Sequence, residues 1–161
     1  MGESDHYEEL SATECWRLLA ARSLGRIAVT VAALPVVLPV FYAVLDESIV
    51  FRTPPRTRLA AATTRAVVAF QIDDFADETG KGWSVMAQGV ASSITAPDRI
   101  EQARELPLDP MTEHPDEDRF VSVRVGNLSG LRFTRSGRRP RTGSPLTTDD
   151  GAAHDGVAHH R

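Results

Sequence analysis

Apolar residues in this chain recur at alternate positions, in short runs. Arg26-Ile27-Ala28-Val29-Thr30-Val31, Val36 to Leu45, Ile49 to Thr53 and Val67 to Ile72 are rich in β-branched and aromatic side chains, which suit a pleated surface. Phe120 to Val125 alternates cleanly, and Leu128 to Thr134 predicts a last strand. The connections at Ala32-Ala33 and Asp46-Glu47-Ser48 are too short for helical crossovers, so these strands form an antiparallel meander. Gly82 to Thr95 predicts a longer strand with a bulge at Gly89. Helical spacing shows in fewer places. Ser11-Ala12-Thr13-Glu14 is a capping box, Leu10 before it can staple onto Cys15, and Cys15, Leu18 and Leu19 recur at i, i+3, i+4. The spacing predicts a helix over 11–22, with Gly25 as its stop signal. Thr57 to Thr64 is a short alanine-rich helix, and Pro97-Asp98 opens another whose apolar side is Ile100, Ala103 and Leu106. The fold class is mainly β with short helices, and short antiparallel connections favour a barrel.

The 161 residues read as one domain over 10–134. Residues 1–9 are polar and read as a flexible lead-in, Asp73 to Lys81 as an acidic loop, and Pro107 to Asp118 as a proline-rich loop. Residues 135–161 have no aromatic, and Leu146 and Val157 are their only larger aliphatics, so this tail is expected to be disordered. The single cysteine, Cys15, excludes an intramolecular disulfide and suits a reducing compartment. No apolar run reaches the ~18–20 residues that span a bilayer, and the acidic N-terminus is no secretory signal. A cytoplasmic protein without membrane contact is the expectation. A net charge of −4 argues against nucleic acid as a partner. The basic run Arg135, Arg138, Arg139 and Arg141 lacks interleaved aromatics and is followed by Asp149, Asp150 and Asp155.

Candidate chemistry gathers between two strands. Arg52, Thr53, Thr57 and Arg58 combine guanidinium forks with hydroxyls just where a helix begins, the elements of a phosphate site. The competing reading is a solvated basic turn. Pro39 interrupts the preceding strand and leaves the backbone of Val40 and Phe41 able to face something other than a strand. Trp83 offers a stacking plane and Ser84 a small polar group, or else Trp83 is a core side chain at a strand start. Apolar wall and anion cluster together suit a phosphorylated aromatic cofactor of the flavin type. The five histidines have no metal-ligand spacing, and neither a nucleophile elbow nor a glycine-rich phosphate loop is present.

The ordered set Leu10-Ser11, Glu14-Cys15, Leu18-Leu19, Gly25 to Val29, Pro35 to Tyr42, Val50 to Thr53, Thr57 to Ala60, Gly82 to Val85 and Gln88-Gly89 resembles the pyridoxamine 5′-phosphate oxidase-like, FMN-binding split β-barrel proteins, especially their small actinobacterial branch. The resemblance covers residues 10–133. It implies a six-stranded antiparallel split barrel, a homodimer, and FMN at the subunit interface, with the related deazaflavin F420 as the alternative cofactor. Its phosphate cluster falls on Arg52, Thr53, Thr57 and Arg58, its ring-facing strand on Pro39, Val40 and Phe41, and its second approach to the ring on Trp83 and Ser84. The implied activity is flavin-dependent oxidoreduction on a small-molecule substrate, or else non-catalytic flavin or haem binding. Ala32-Ala33, Phe41 and Pro54-Pro55-Arg56 depart from the family pattern. So does the lack of the oxidase's C-terminal substrate segment, and vitamin B6 oxidation is therefore not expected.

Overall fold

The computed structural model describes residues 6–109 and 117–135. Strand β1 (His6–Glu9) is followed by helix α1 (Ala12–Ala20), then β2 (Leu24–Val31), β3 (Leu34–Leu45) and β4 (Ser48–Thr53). Helix α2 (Arg58–Ala62), β5 (Ala66–Ala76), β6 (Lys81–Ser93), α3 (Pro97–Arg104) and β7 (Arg119–Thr134) complete the order. All strand pairings are antiparallel, in the order β1-β7-β4-β3-β2-β5-β6, and β6 also pairs with β7. The sheet thus closes into a ring of six strands, the expected number, with β1 as a seventh outside it. Closure removes most of the exposed edges that an open sheet must protect.

Alternation sends one face of each strand inward. Ile27, Val29, Val40, Tyr42, Phe51, Phe70, Ile72, Val85 and Val123 are all buried in one central cluster. Helix α1 adds Cys15 and Leu19 to it, and Leu10 packs there too. The capping box that starts α1 forms as expected: Glu14 N–H donates to Ser11 Oγ over 3.3 Å, and Ser11 N–H to Glu14 Oε2 over 3.2 Å. A second, smaller cluster lies outside the ring, where α3 brings Ala103 against Val50, Leu108 and Phe120.

Several expected boundaries move. The N-terminal residues are not a loose lead-in from His6 on, because His6–Glu9 extends the ladder along Leu131–Thr134 and Glu8 meets Arg132 at 3.1 Å. Helix α1 stops at Ala20 with Ala21 as its cap, not at Gly25. Gly25 lies in β2, where the ring of Phe70 occupies the space a side chain would need. The expected acidic loop is mostly strand: β5 and β6 pair out to Ala76 and Lys81 and leave only a tight turn. Phe120–Val125 and Leu128–Thr134 are one continuous strand, and the irregularity sits opposite, at Gln88/Gly89 in β6. Gln88 pairs with Asn127 and Gly89 with Val125, so the register shift falls at the position read from the sequence, but the extra, unpaired residue is Gly126 of β7 and not Gly89. A Cβ at Gly89 would stand 2.0 Å from the Arg124 carbonyl oxygen, so the close approach needs glycine. The tail expected to be disordered, from 136 on, lies outside the described residues.

Candidate functional site

The nine candidate residues divide according to which way strand alternation turns them. Arg52 and Thr53 are neighbours on β4 and face opposite ways. Thr53 is buried on the inner side, and its Oγ1 lies 3.1 Å from Thr57 Oγ1. Thr57 is the N-cap of α2: its hydroxyl accepts from Ala60 N–H at 3.0 Å and donates to the Pro54 carbonyl at 3.1 Å. Arg58 follows as the first helical residue and is exposed. Thr53, Thr57 and Arg58 therefore stand together at the entry to α2. Arg56 and Arg65, both exposed and both in the left-handed backbone region, lie on either side of this helix. Among the described residues, Arg56, Arg58 and Arg65 make no ion pair.

Arg52 points outward. Its Nε lies 3.6 Å from Asp118 Oδ2, and its guanidinium sits 5.4 Å from the Phe120 ring centroid. The Asp118 side chain is only 2% exposed. This pair forms one wall of an open cavity of ≈ 820 Å³ between α3 and the outer face of the sheet. Asp118 and the cavity were not read from the sequence, where this stretch is a proline-rich loop end. No local signal marks Asp118, because its place beside Arg52 depends on the β4–β7 register that sets Arg52 opposite Phe120.

Pro39, Phe41 and Ser84 lie on the outer face of the ring. Register aligns Pro39 with Arg26, Arg26 with Gln71 and Gln71 with Met86, one row across four strands. The adjacent row holds Phe41 opposite Leu24, and Asp73 opposite Ser84. Ser84 Oγ accepts from Gln71 Nε2 at 3.1 Å, and Asp73 is held by Arg26 at 2.8 Å. Val40, between Pro39 and Phe41, is turned into the core. Trp83 is half-buried at the start of β6, with the Arg22 guanidinium 5.3 Å from its ring and Arg22 tied to Asp74. The proline has the expected consequence for its strand. The β3–β4 ladder runs from Leu45/Ser48 only to Tyr42/Phe51, so the edge from Leu34 to Phe41 has no described strand on that side.

The nearest phenol, Tyr42, is no proton donor to this surface. It is buried, donates to the Leu19 carbonyl at 2.7 Å, and burial raises its pKa above the ordinary tyrosine value. Among the described residues no group of three or more His, Cys, Asp or Glu is placed to hold a metal ion. No described helix is long and apolar enough to cross a membrane.

Comparison with known proteins agrees with this architecture. The family profile of pyridoxamine 5′-phosphate oxidase matches residues 11–132. An uncharacterized protein of Mycobacterium tuberculosis is 31% identical over 137 residues, covering 82% of this chain and 89% of the relative. Among solved structures, an FAD binding protein from Mycobacterium smegmatis superposes with a TM-score of 0.69 at 33% identity, over 79% of this chain and 98% of that one. A putative pyridoxamine 5′-phosphate oxidase from Corynebacterium glutamicum gives 0.68 at 26% identity, over 84% and 100%. By its ring of antiparallel strands and a profile match over most of its length, the chain belongs to the pyridoxamine 5′-phosphate oxidase family.

Proposed function

We propose that this chain is a flavin-binding oxidoreductase that holds the flavin mononucleotide unit, the whole of FMN, on the outer face of its sheet. One observation carries the reading: the register places Pro39, Phe41 and Ser84 on a single face, with Arg52 on the neighbouring strand turned the same way. An aromatic ring system needs a flat apolar wall with a few polar groups, and a phosphate needs guanidinium and hydroxyl donors. Both are within this chain. The 33% identical relative from M. smegmatis is an FAD binding protein, which supports the same cofactor class. When bound, a flavin supplies two-electron redox chemistry, and the protein's part is to bind and orient it. Pro39 and Phe41 would support the ring, Arg58 with Arg52 would meet the phosphate, and Ser84, which neighbours Trp83 on β6, would offer its hydroxyl from a second copy. Thr53 and Thr57 would act by fixing the start of α2, since their hydroxyls already serve each other and the Pro54 carbonyl.

The outer face also supports a homodimer. Val37, Val67, Met86 and Val90 are 60%, 76%, 39% and 39% exposed, in rows around the small Ala28 and Ala69. Such a flat apolar face is suited to a second copy of itself. Trp83 lies at the far end of β6 from the strand end beside Arg52, roughly 30 Å along the strand at ~3.3 Å per residue. One copy therefore does not unite Trp83 with Arg52, and a partner's Trp83 would complete the ring's surroundings in a dimer.

The test is titration of the purified protein with FMN, followed by flavin fluorescence, beside size-exclusion chromatography with light scattering. Arg58→Ala should weaken FMN binding roughly 10- to 100-fold, the loss of one charge-assisted hydrogen bond. Unchanged affinity would move the phosphate elsewhere. Binding of F420 in place of FMN would reassign the cofactor, and a monomer at micromolar concentration would remove the shared interface.

A further inference from the structure

The outer face turns aromatic where β5 and β6 meet their connecting turn. Register aligns Tyr7 with Phe133, Phe133 with Gly82 and Gly82 with Phe75, so one row across four strands holds three aromatic side chains around a glycine. The glycine lets the rings meet. A Cβ at Gly82 would stand 2.6 Å from Phe133 Cζ and 2.8 Å from Phe75 Cδ2. Without one, the Phe75 and Phe133 rings lie over the backbone and stack, with centroids 6.0 Å apart and planes inclined by 16°. Tyr7, Phe75 and the adjoining Leu131 are 67%, 37% and 41% exposed. The three aromatics, with Thr134 and Arg135, line an open pocket of ≈ 340 Å³. Aromatic surface gathered in one place and left in water marks an interaction site.

We propose that this patch is the docking site for residues 136–146 of the same molecule. Chain continuity is the first argument. Strand β7 delivers the chain onto the patch: Arg135 N–H donates to the Gly80 carbonyl at 2.7 Å, and its guanidinium lies 5.1 Å from the Phe75 ring centroid and 3.4 Å from Asp77 Oδ1. The segment follows Arg135 directly. At ~3.3 Å per residue it can extend about 36 Å, and the row from β5 to β1 crosses three strand spacings, roughly 14 Å. Charge is the second argument. Arg138, Arg139 and Arg141 face an acidic rim made by Asp77 and Glu78 in the turn and by Glu9, two residues from Tyr7 on the same side of β1. Among the described residues, Glu9 and Glu78 make no ion pair. The third argument is the apolar content of the segment, Pro140, Pro145 and Leu146. Prolines lose little freedom on binding and pack against aromatic rings, and arginines beside them select a carboxylate rim. The reading uses none of the residues assigned to the flavin and stands apart from it.

The experiment is limited trypsin digestion of the full chain, with cleavage after Arg138 and Arg141 timed by mass spectrometry. One variant, Tyr7→Ser with Phe75→Ser, removes two rings of the patch. A second, Pro145→Ser with Leu146→Ser, alters only the segment and leaves every described strand untouched. Protection from cleavage follows the docked population, so both variants should be cut at these two arginines at least about fivefold faster than wild type. Cleavage after Lys81, inside the sheet, should keep its wild-type rate in the segment variant. Equal rates in wild type and the segment variant overturn the proposal, whatever the patch variant does. Wild-type protection that rises with protein concentration places the segment on a second copy and overturns docking within one molecule.

Discussion

Gly25→Ala tests whether the ring is packed as tightly as the structure shows. A methyl at this position would lie 2.2 Å from Phe70 Cζ and 2.9 Å from each Phe70 Cε. Carbon atoms rest at ~3.5–4.0 Å, so the ring must retreat by more than an ångström. It has nowhere to go. Phe70 is fully buried, and its centroid is 4.7 Å from Tyr42 in an edge-on contact. Tyr42 is in turn fixed by its hydrogen bond to the Leu19 carbonyl at 2.7 Å. Overpacking of this kind costs ~1–3 kcal/mol, and loss of a glycine from a strand returns only ~0.5–1 kcal/mol. With a clash this close, a net loss of about 2 kcal/mol is expected. For a chain of this size that lowers Tm by about 4–8 °C, read by circular dichroism, with a matching drop in the urea midpoint. Phe70→Leu alone also destabilises, but combined with Gly25→Ala it should cost less than the sum by about 1 kcal/mol or more, since the methyl then has room. A Tm for Gly25→Ala within a degree of wild type, or strictly additive costs in the double variant, would show that Phe70 does not stand over this backbone.

Two further changes probe the turns and caps. Ala32 and Ala33 form the two-residue hairpin between Val31 and Leu34 with φ of 48° and 64°, a region that disfavours alanine. Ala33→Gly should therefore raise stability by about 0.5–1 kcal/mol, seen as a higher urea midpoint, and a lower midpoint would contradict the left-handed turn. The hydrogen bond from the Ser11 backbone, then that from its hydroxyl, with Arg132 a smaller influence, holds the Glu14 carboxyl below its ordinary value. A carboxyl depressed by folding adds stability above its unfolded pKa and loses it as pH falls through the folded one. Wild-type stability should thus drop more steeply than that of Glu14→Gln between about pH 5 and pH 3, and parallel melting curves over that window would remove the cap from the account.

Local periodicity made most of the strands legible, along with the capping box, Pro97 at the start of α3 and the place of the register shift beside Gly89, though not the strand that carries the extra residue. What it missed depended on partners far away in sequence. His6–Glu9 carries no strand signal of its own and is a strand because Leu131–Thr134 offers it an edge. Asp73–Ala76 is acidic and exposed, and is held extended by its pairing with Lys81–Ser84 and by the ion pairs of Asp73 and Asp74 with Arg26 and Arg22. The site shows the same division. Thr57 as a helix cap is visible from its neighbours, and the opposed facing of Arg52 and Thr53 follows from alternation. The position of Asp118 beside Arg52 follows from neither, because it needs the β4–β7 register that sets Arg52 opposite Phe120.

Strand β7 is the clasp of the ring, and its place in the chain has a consequence for biogenesis. Its 16 residues lie against β6 along nearly their whole length, against β4 over Arg119–Arg124, and against β1 over Leu131–Thr134. Until it is made, β4 and β6 each present an unpaired hydrogen-bonding edge to the cell, and β1 has nothing to join. A nascent chain must hold the β4 edge open from Thr53 until β7 begins at Arg119, and closure then requires contacts between segments far apart in sequence. Such a topology folds late and slowly, and the time before β7 arrives is when this protein is most exposed to self-association.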